Sequence, residues 1–317
     1  MTTGTARLAS RTVSRIGYGA LQLERLHDRR DRAVALLRRA VELGVDHVDT
    51  AEFYGAGFAN EVIRAALRPA DGVLVVTKVG ADPDPGGPRP LRLAQRPEQL
   101  RASVEDNLRS LGTDRLEVVN LRRLDTGPGL RAEGDQVVDL DDQLAVMTAL
   151  RDEGKIGAIG LSSVTLDGLR RALPAGIVCV QNSYSLVSRE DEELLRLCTA
   201  EGIAWVPFFP LGGSFPGVPK ATGEPAVRAV AESLGVTPSQ VGLAWLLHRA
   251  PNVLLIPGTA DAAHLAANLA AGGIALDAAA LAALDGVASR PGDGPIGRPG
   301  PTRPNPAPLD QPLQDGS

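Results

Sequence analysis

Cysteine is scarce in this sequence, which contains 2 cysteines among 317 residues. Cys179 and Cys198 both lie in apolar segments and fit neither a metal-binding spacing nor a disulfide framework, which indicates a reducing compartment. The chain also lacks any apolar run near the ~20 residues of a membrane span. Its first residues, MTTGTARLASR, have no apolar core of the kind found in signal peptides. We therefore expect a cytoplasmic protein without a membrane partner.

Charge clusters and metal-binding patterns are missing as well. The net charge is -5, which gives no indication of a nucleic-acid partner. The 4 histidines show no ligand spacing such as HExxH, so we predict no metal. Only 3% of the residues are aromatic, so an aromatic side chain near a predicted site is a candidate functional residue. With 44% hydrophobic and 22% charged residues, the composition is typical of a globular protein with a large core.

The early part of the chain also lacks the GxGxxG fingerprint of a doubly wound dehydrogenase, which the GYG at residues 17–19 does not supply. A helix–glycine–strand junction recurs instead, in ELGVDHVD, SLGTDRLEVV, DEGKIGAIG and AEGIAWVP. Apolar runs predict eight strands alternating with helices, at residues 13–19, 45–49, 73–77, 116–121, 156–161, 177–180, 203–206 and 253–256. Eight βα units in about this length predict an α/β fold, a closed (β/α)8 TIM barrel with long loops at its C-terminal face.

The predicted barrel is a single domain over residues 1–289. Its first helix, at residues 28–43, is expected to begin with Asp28 as the capping side chain and to end at Gly44. From residue 290 the chain becomes rich in proline and glycine and poor in apolar residues. This composition predicts a mobile tail over residues 290–317, with disorder favoured over a fold across a bound ligand.

Polar residues follow the predicted strands one after another. Because the carboxyl ends of parallel strands lie on one face of a barrel, we expect them to share one mouth. These residues are Asp49, Tyr54, Lys78, Arg122, Ser162, Ser163, Gln181, Asn182, Phe208, Gly258 and Thr259. Each hydroxyl or amide taken singly is explained as an ordinary residue at a strand–loop junction. The combination of Asp49, Tyr54 and Lys78 is harder to explain in this way and marks this face as the candidate site. His47, within the second strand, is interpreted as a packed or rim histidine.

The ordered motifs of the chain resemble the aldo-keto reductase superfamily over about residues 13–287. The matching segments are VSRIGYGALQL, GVDHVDTAEFYG, VVTKVG, EGKIGAIGLSS, QNSYSLVSRE, WVPFFPLG and IPGTADAAHLAANLAA. Within the superfamily, VVNLRR and IPGTADAAHLAANL are most similar to bacterial members related to pyridoxal reductases.

The resemblance implies a division of catalytic roles. Tyr54 would be the general acid that protonates a carbonyl oxygen as hydride arrives. A free phenol has a pKa of ~10, and the resemblance places Lys78 beside it to lower that pKa. Asp49 would pair with Lys78 and hold it in place. The family usually has histidine at the end of the fourth strand, where this chain has Arg122. Arginine does not titrate usefully, so Arg122 either orients a carbonyl or anionic group of the substrate, or points away and pairs with a loop acid.

The resemblance also implies a nicotinamide cofactor, with NADP(H) preferred and NAD(H) as the alternative. Ser162, Ser163 and Gln181 match positions that hold the nicotinamide carboxamide, and Phe208 matches an aromatic residue that stacks on the ring. The full set of implied cofactor-binding residues is Ser162, Ser163, Gln181, Phe208, Leu211, Gly258, Thr259, His264 and Asn268. Two usual basic residues for the cofactor's 2′-phosphate are replaced here, by Gly258 and His264, so the implied phosphate site carries little charge.

The sequence thus predicts NAD(P)H-dependent reduction of an aldehyde or ketone, with pyridoxal as the substrate favoured by the resemblance. The loops at residues 80–96, 125–139 and 212–223, together with the tail, are expected to set specificity. Two other interpretations stay open. The chain could be a nicotinamide-binding regulator or sensor with little turnover, because it carries Arg122, or an enzyme that runs as an alcohol dehydrogenase, because hydride transfer is reversible.

Overall fold

A computed structural model describes residues 4–126, 130–213 and 219–290 of the chain. Short strands and longer helices alternate along these residues. The strands are β1 Thr5–Leu8, β2 Arg11–Ser14, β3 Tyr18–Gly19, β4 His47–Asp49, β5 Leu74–Val79, β6 Ala81–Pro83, β7 Leu91–Leu93, β8 Leu116–Arg122, β9 Ile156–Ser162, β10 Ile177–Gln181 and β11 Ala204–Trp205. The helices are α1 Arg30–Glu42, α2 Phe58–Ala66, α3 Pro97–Leu111, α4 Leu140–Asp152, α5 Leu166–Ala172, α6 Glu192–Ala200, α7 Pro225–Leu234, α8 Pro238–Arg249, α9 Ala262–Ala270 and α10 Ala278–Asp285.

The central sheet is parallel and has the strand order β3-β4-β5-β8-β9-β10-β11. Residues 253–255 close it into a barrel, because Val253 bridges Trp205 on one side and Leu255 bridges Ile16 on the other. The Leu254 amide donates to the Trp205 carbonyl at 2.8 Å, and the Gly17 amide donates to the Leu255 carbonyl at 2.8 Å. The predicted (β/α)8 barrel is therefore confirmed, with an eighth strand made of isolated bridges.

The amino end of the barrel is closed by the antiparallel hairpin of β1 and β2. Leu8 and Val13 of this hairpin pack into the barrel interior with Leu74, Val76 and other apolar side chains. The Ser14 amide donates to the Asp46 carboxylate at 2.8 Å and ties the hairpin to the start of β4. A second and larger apolar layer lies between the sheet and the surrounding helices. The site is therefore left to the opposite, carboxyl end of the strands.

The structure corrects two local predictions. The predicted first strand at residues 13–19 is split between β2 and β3. The predicted cap at Asp28 is also wrong, because Ala20–Arg29 is a 3-10 segment with a kink at Leu26 and α1 begins only at Arg30.

The end of α1, by contrast, is as predicted. Gly44 has φ +94°, and the amides of Gly44 and Val45 donate to the carbonyls of Val41 and Ala40. This is the glycine-dependent helix ending expected from the sequence.

Two further predictions concern loops and the tail. The loop predicted at residues 80–96 contains the antiparallel pair of β6 and β7. Most of the predicted tail, residues 291–317, lies outside the described residues, as do residues 127–129 and 214–218 of two predicted specificity loops. Among the described helices, none is both long and apolar enough to cross a membrane alone; one pair, Ala262–Gly273 and Ala278–Asp285, reaches the required length and composition only together and is bent by 114°.

Candidate active site

A buried ion pair lies at the carboxyl end of the barrel. In β4 the side chains alternate, so Val48 packs against the outer helices while Asp49 faces the barrel axis. Lys78 Nζ lies 2.5 Å from Asp49 Oδ1 and donates a second bond to the Thr50 carbonyl at 2.9 Å. Gln181 Nε2 donates to the other carboxylate oxygen of Asp49 at 2.6 Å. Asp49 is 3% and Lys78 6% exposed, and such charges are tolerated in a core only when they are paired and hydrogen-bonded in this way.

Tyr54 lies beside this ion pair, on the loop that follows β4. Lys78 Nζ is 5.0 Å from the centroid of the Tyr54 ring. Burial raises the pKa of the Tyr54 phenol, and although Lys78 and then Arg122 act in the opposite direction, the pKa stays above its ordinary value. The expected effect of Lys78 is therefore present, but burial outweighs it. At neutral pH the phenol keeps its proton and is a donor.

The charge state of Lys78 follows from the same balance. Burial by itself would lower the pKa of the Lys78 ammonium, but the nearby Asp49 and Tyr54 oxygens more than compensate and raise it. Lys78 is therefore a fixed positive charge beside a neutral phenol.

Arg122, the last residue of β8, contributes a second cation to the mouth. Its guanidinium carbon lies 5.4 Å from the centroid of the Phe53 ring. Burial lowers the pKa of Arg122, whereas the nearby Tyr54 acts to raise it. Within residues 4–126, 130–213 and 219–290, no acid pairs with the Arg122 side chain; the loop acid Asp125 pairs with Arg123 at 3.0 Å instead.

Phe53 and a polar network behind it were missed by the sequence reasoning. Phe53 meets Tyr54 edge to face at 5.2 Å, and the scarcity of aromatic residues was the signal that could have singled it out.

The polar network connects the loop to two helices. Thr50 donates to Asn60 Oδ1 at 2.8 Å, and Asn60 donates to Glu52 Oε2 at 2.7 Å. Ser110 of α3 donates to the same oxygen of Glu52 at 2.5 Å. This network fixes the loop that carries Tyr54 to α2 and α3.

The serines predicted to face a nicotinamide lie at the end of β9. Ser162 is its last residue, and Ser163 follows with φ +53°, which costs backbone strain in a residue other than glycine. Neither hydroxyl has a hydrogen-bond partner among the described residues.

The amides of the next strand are already engaged. Gln181 turns its NH2 group toward Asp49. Asn182 accepts from the Val164 amide and donates to the Val164 carbonyl and to Asp191. Asn182 is therefore a structural residue of the β9–β10 junction.

The residues after β11 divide between the mouth and the core. Phe208 is partly exposed and meets Phe209 edge to face at 5.2 Å. Leu211 packs toward α8, since a Cβ added to Gly242 would lie 2.7 Å from a Leu211 methyl group. Phe208 is thus partly accessible at the mouth, while Leu211 contacts a neighbouring helix.

The remaining predicted cofactor residues follow the eighth strand. Thr259 uses its carbonyl to accept from Tyr18 Oη at 2.6 Å and its hydroxyl to accept from the Asp261 amide at 3.0 Å. His264 is exposed on α9, and Asn268 lies one turn further on and is half-buried. Gly258 is exposed and close to β3, because an added Cβ would lie 2.6 Å from the Gly19 carbonyl oxygen. These residues lie on elements separate from the Asp49, Lys78 and Tyr54 cluster.

Comparisons with known proteins give matches in both sequence and fold. The sequence model of the Aldo/keto reductase family matches residues 15–289. The chain is 45% identical over 279 residues to pyridoxine 4-dehydrogenase of Escherichia coli, covering 86% of this chain and 93% of that protein. It is 33% identical to an uncharacterised oxidoreductase of Schizosaccharomyces pombe, covering 86% of each. Among solved structures, an aldo-keto reductase of Klebsiella pneumoniae in complex with NADPH matches with a TM-score of 0.74 and 28% identity, over 90% of this chain and 95% of that one.

Proposed function

The chain belongs to the aldo/keto reductase family and is an NADP(H)-dependent oxidoreductase, and from this premise we propose that it reduces pyridoxal, with Tyr54 as the proton donor. The observation that carries the assignment of Tyr54 is the cluster of Asp49, Lys78 and Tyr54. It combines a phenol whose pKa is raised by burial with a permanent cation 5.0 Å from its ring.

The side chains divide the proton-transfer work. Tyr54 donates its proton to the carbonyl oxygen of the substrate, and the ammonium of Lys78 stabilises the phenolate that remains. Asp49 keeps Lys78 aimed at Tyr54, because its 2.5 Å contact and the Thr50 carbonyl leave the ammonium little freedom. In the reverse direction Tyr54 accepts a proton from the alcohol.

The neighbouring side chains suit a bound nicotinamide. The hydroxyls of Ser162 and Ser163 make no hydrogen bond among the described residues and have the donors and acceptors that a carboxamide needs. Phe208 offers an accessible ring for stacking. When bound, NADPH supplies the hydride; the protein supplies the proton and the orientation of the carbonyl.

Arg122 supports pyridoxal as the substrate. Pyridoxal carries a hydroxyl oxygen on the ring carbon next to its aldehyde, and this oxygen ionises readily. A guanidinium binds such an oxygen by a charge-assisted hydrogen bond. Arg122 lies near Tyr54 and has no acid partner among the described residues, so it can hold the phenolate while Tyr54 meets the aldehyde oxygen. The 45% identity to a pyridoxine 4-dehydrogenase supports the same substrate.

The test of the reaction follows nicotinamide absorbance with NADPH and NADH in parallel, using pyridoxal and a panel of other aldehydes and ketones. Pyridoxine with NADP+ gives the reverse direction. Tyr54→Phe is expected to lower kcat by about 1,000-fold while cofactor affinity stays within about twofold, since general acids contribute 100- to 10,000-fold. A kcat near the wild-type value in Tyr54→Phe would exclude Tyr54 as the proton donor. Tight NADPH binding with no turnover in the wild type would favour a sensor.

The test of the substrate compares pyridoxal with pyridine-4-carbaldehyde, which lacks the neighbouring hydroxyl. Arg122→Met is expected to lower kcat/KM for pyridoxal about tenfold more than for the simpler aldehyde. Arg123→Met is the matched control, because Arg123 pairs with Asp125 and should affect both aldehydes equally. Equal losses in Arg122→Met would exclude the proposed contact.

A further inference from the structure

Two arginines follow one another at the end of β8, and the structure holds them in different ways. Arg123 is paired with Asp125 at 3.0 Å. Its guanidinium also donates to the Gln143 side chain at 2.6 Å and to the Val138 carbonyl at 2.8 Å. The side chain of Arg122 has neither an acid partner nor a hydrogen bond in residues 4–126, 130–213 and 219–290. Its position must therefore depend on another kind of contact.

The side chain that contacts the Arg122 guanidinium is an aromatic ring. The guanidinium carbon lies over the ring of Phe53, 5.4 Å from its centroid. A cation at such a distance is attracted by the negative face of the ring. An acid in the same place would neutralise the guanidinium, whereas a ring attracts the cation and leaves its charge in place. The contact also leaves the N–H groups at the edge of the guanidinium without a partner, because stacking uses only its face.

The main chain of Arg122 is fixed as well. Its carbonyl accepts from Gln95 Nε2 at 2.7 Å, and the same NH2 group donates to the Gly80 carbonyl at 2.6 Å. Gly80 has φ +105°, and an added Cβ would lie 2.4 Å from the Arg122 carbonyl oxygen, so the ends of β5 and β8 lie close together. With the main chain held in this way, the direction of the side chain depends on its contact with Phe53.

Phe53 is held in place by the loop that carries Tyr54. The Tyr54 amide donates to the Ala51 carbonyl at 3.0 Å, which closes a turn around Phe53. The two aromatic rings meet edge to face at 5.2 Å, with an angle of 89° between their planes. Phe53 therefore presents a fixed face to the guanidinium.

We propose that Phe53 is a positioning residue for Arg122, and that its ring holds the guanidinium beside Tyr54 with the charge and the N–H groups left for an anionic oxygen of the substrate. The use of that guanidinium by the substrate rests on the proposed function. The holding itself is a property of the side chains and does not depend on which carbonyl is reduced.

Crystal structures of the holoenzyme with NADPH test the positioning, in the wild type, Phe53→Leu and Phe53→Tyr. Phe53 is partly exposed, so both variants are expected to fold. We expect the guanidinium of Arg122 over the ring in the wild type and in Phe53→Tyr. In Phe53→Leu it should move by about 1 Å or more, a misplacement large enough to affect turnover. A guanidinium that keeps its place in Phe53→Leu would overturn the proposal.

The consequence for the substrate is measured as the ratio of kcat/KM for pyridoxal to kcat/KM for pyridine-4-carbaldehyde. Both aldehydes need Tyr54, so a disturbance of Tyr54 lowers both values and cancels in the ratio. Phe53→Leu is expected to lower the ratio about fivefold, the size of effect that a cation–π contact has on an equilibrium. Phe53→Tyr keeps the face of the ring and should hold the ratio within about twofold of wild type.

The same substitutions in an Arg122→Met background show whether the effect runs through Arg122. There Phe53→Leu should leave the ratio unchanged, because the guanidinium that the ring holds is gone. An equal fall in both backgrounds, or a fall in Phe53→Tyr as large as in Phe53→Leu, would show that Phe53 does not act through Arg122. If Arg122→Met alone leaves the ratio at the wild-type value, the proposed contact with pyridoxal fails, while the crystal structures still decide whether Phe53 positions Arg122.

Discussion

The two ends of the barrel are built from the same strands but differ in chemistry. The amino end is closed by the β1–β2 hairpin and packed with apolar side chains such as Leu8, Val13 and Leu74. At the carboxyl end, Asp49 and Lys78 are buried charges and Arg122 has no acid partner among the described residues. The difference indicates that one end supplies stability and the other keeps polar groups available for chemistry.

Backbone strain follows the same division. Five non-glycine residues in the described part of the chain have positive φ. Four of them, Ala56, Leu124, Ser163 and Phe209, lie in loops that follow β4, β8, β9 and β11 at the carboxyl end. Such conformations persist only where the surrounding structure holds them, and they are concentrated at functional sites. The carboxyl end therefore carries both the polar groups and most of the observed strain.

The largest expected effect comes from Lys78→Met, which removes the cation of the buried ion pair at the carboxyl end. The variant leaves Asp49 buried without its cation, so we expect a loss of about 3–5 kcal/mol in the free energy of unfolding. We also expect kcat to fall by about 1,000-fold or more, since Tyr54 loses the charge that stabilises its phenolate. Urea unfolding and steady-state kinetics measure the two losses.

Lys155→Met is the control for that variant. Lys155 pairs with Glu105 and Glu153 on the surface, where an ion pair contributes about 1 kcal/mol or less. If Lys78→Met were as mild as Lys155→Met, the buried pair would not support the site as described.

A variant at the amino end should lose stability but keep its kcat. Leu74→Ala removes a side chain that is 1% exposed in the barrel interior, at an expected cost of about 2–5 kcal/mol in the free energy of unfolding. The kcat of the folded variant should stay within about twofold of wild type. A large fall in kcat, measured well below the Tm, would contradict the separation between the two ends.

A third test adds positive charge at the implied 2′-phosphate site of the carboxyl end and measures cofactor binding. Gly258→Lys is unsuitable, because its Cβ would meet the Gly19 carbonyl oxygen at 2.6 Å. His264 is exposed on α9, and His264→Arg is expected to tighten NADPH binding about tenfold at low salt without changing NADH binding. Ala263→Arg, the adjacent exposed position, is the control. Equal tightening in both variants would indicate only a general charge effect.

The smallest expected effect concerns Glu52 in the network behind Tyr54. Burial raises the pKa of Glu52 above its ordinary 4.5, against the opposing hydrogen bonds from Ser110 and Asn60. The folded state therefore binds a proton more tightly than the unfolded state, and the contribution of Glu52 to stability falls as pH rises from 4.5 through the folded-state pKa.

Glu52→Gln removes this titration while its amide oxygen can still accept both hydrogen bonds. As pH rises above 4.5, the wild type should lose stability relative to the variant until the folded-state pKa of Glu52 has been passed. Urea unfolding of both proteins across that range measures the difference. A wild type that gains stability relative to Glu52→Gln as pH rises would show that the sign is wrong.

Much of the fold was accessible from the sequence because its signals are local. Gly44 ends α1 through its positive φ, as predicted, and the helices Pro97–Leu111 and Pro225–Leu234 each begin at a proline, which is a local signal for a helix start. The capping prediction at Asp28 failed because the preceding segment is held as a 3-10 helix by tertiary packing of Leu23 and Leu26. The eighth strand was found from its apolar run, although only isolated bridges hold it.

The site was predictable to the extent that strand order implies it. Asp49, Lys78 and Tyr54 follow successive strands, so the parallel barrel had to bring them to one face. The orientation of Gln181 toward Asp49, the contact of Phe53 with Arg122 and the network through Asn60 were not predictable. They depend on contacts between segments far apart in the chain, which no local pattern encodes.

The sequence by itself determined the alternation of strands and helices and the face on which the polar residues collect, because periodicity and chain direction are properties of each segment. Only the tertiary structure decided the balance of charges at that face. The pKa of Tyr54 is set by burial against Lys78 and Arg122, and that sum depends on distances and on the exclusion of water, which exist only once the barrel has closed.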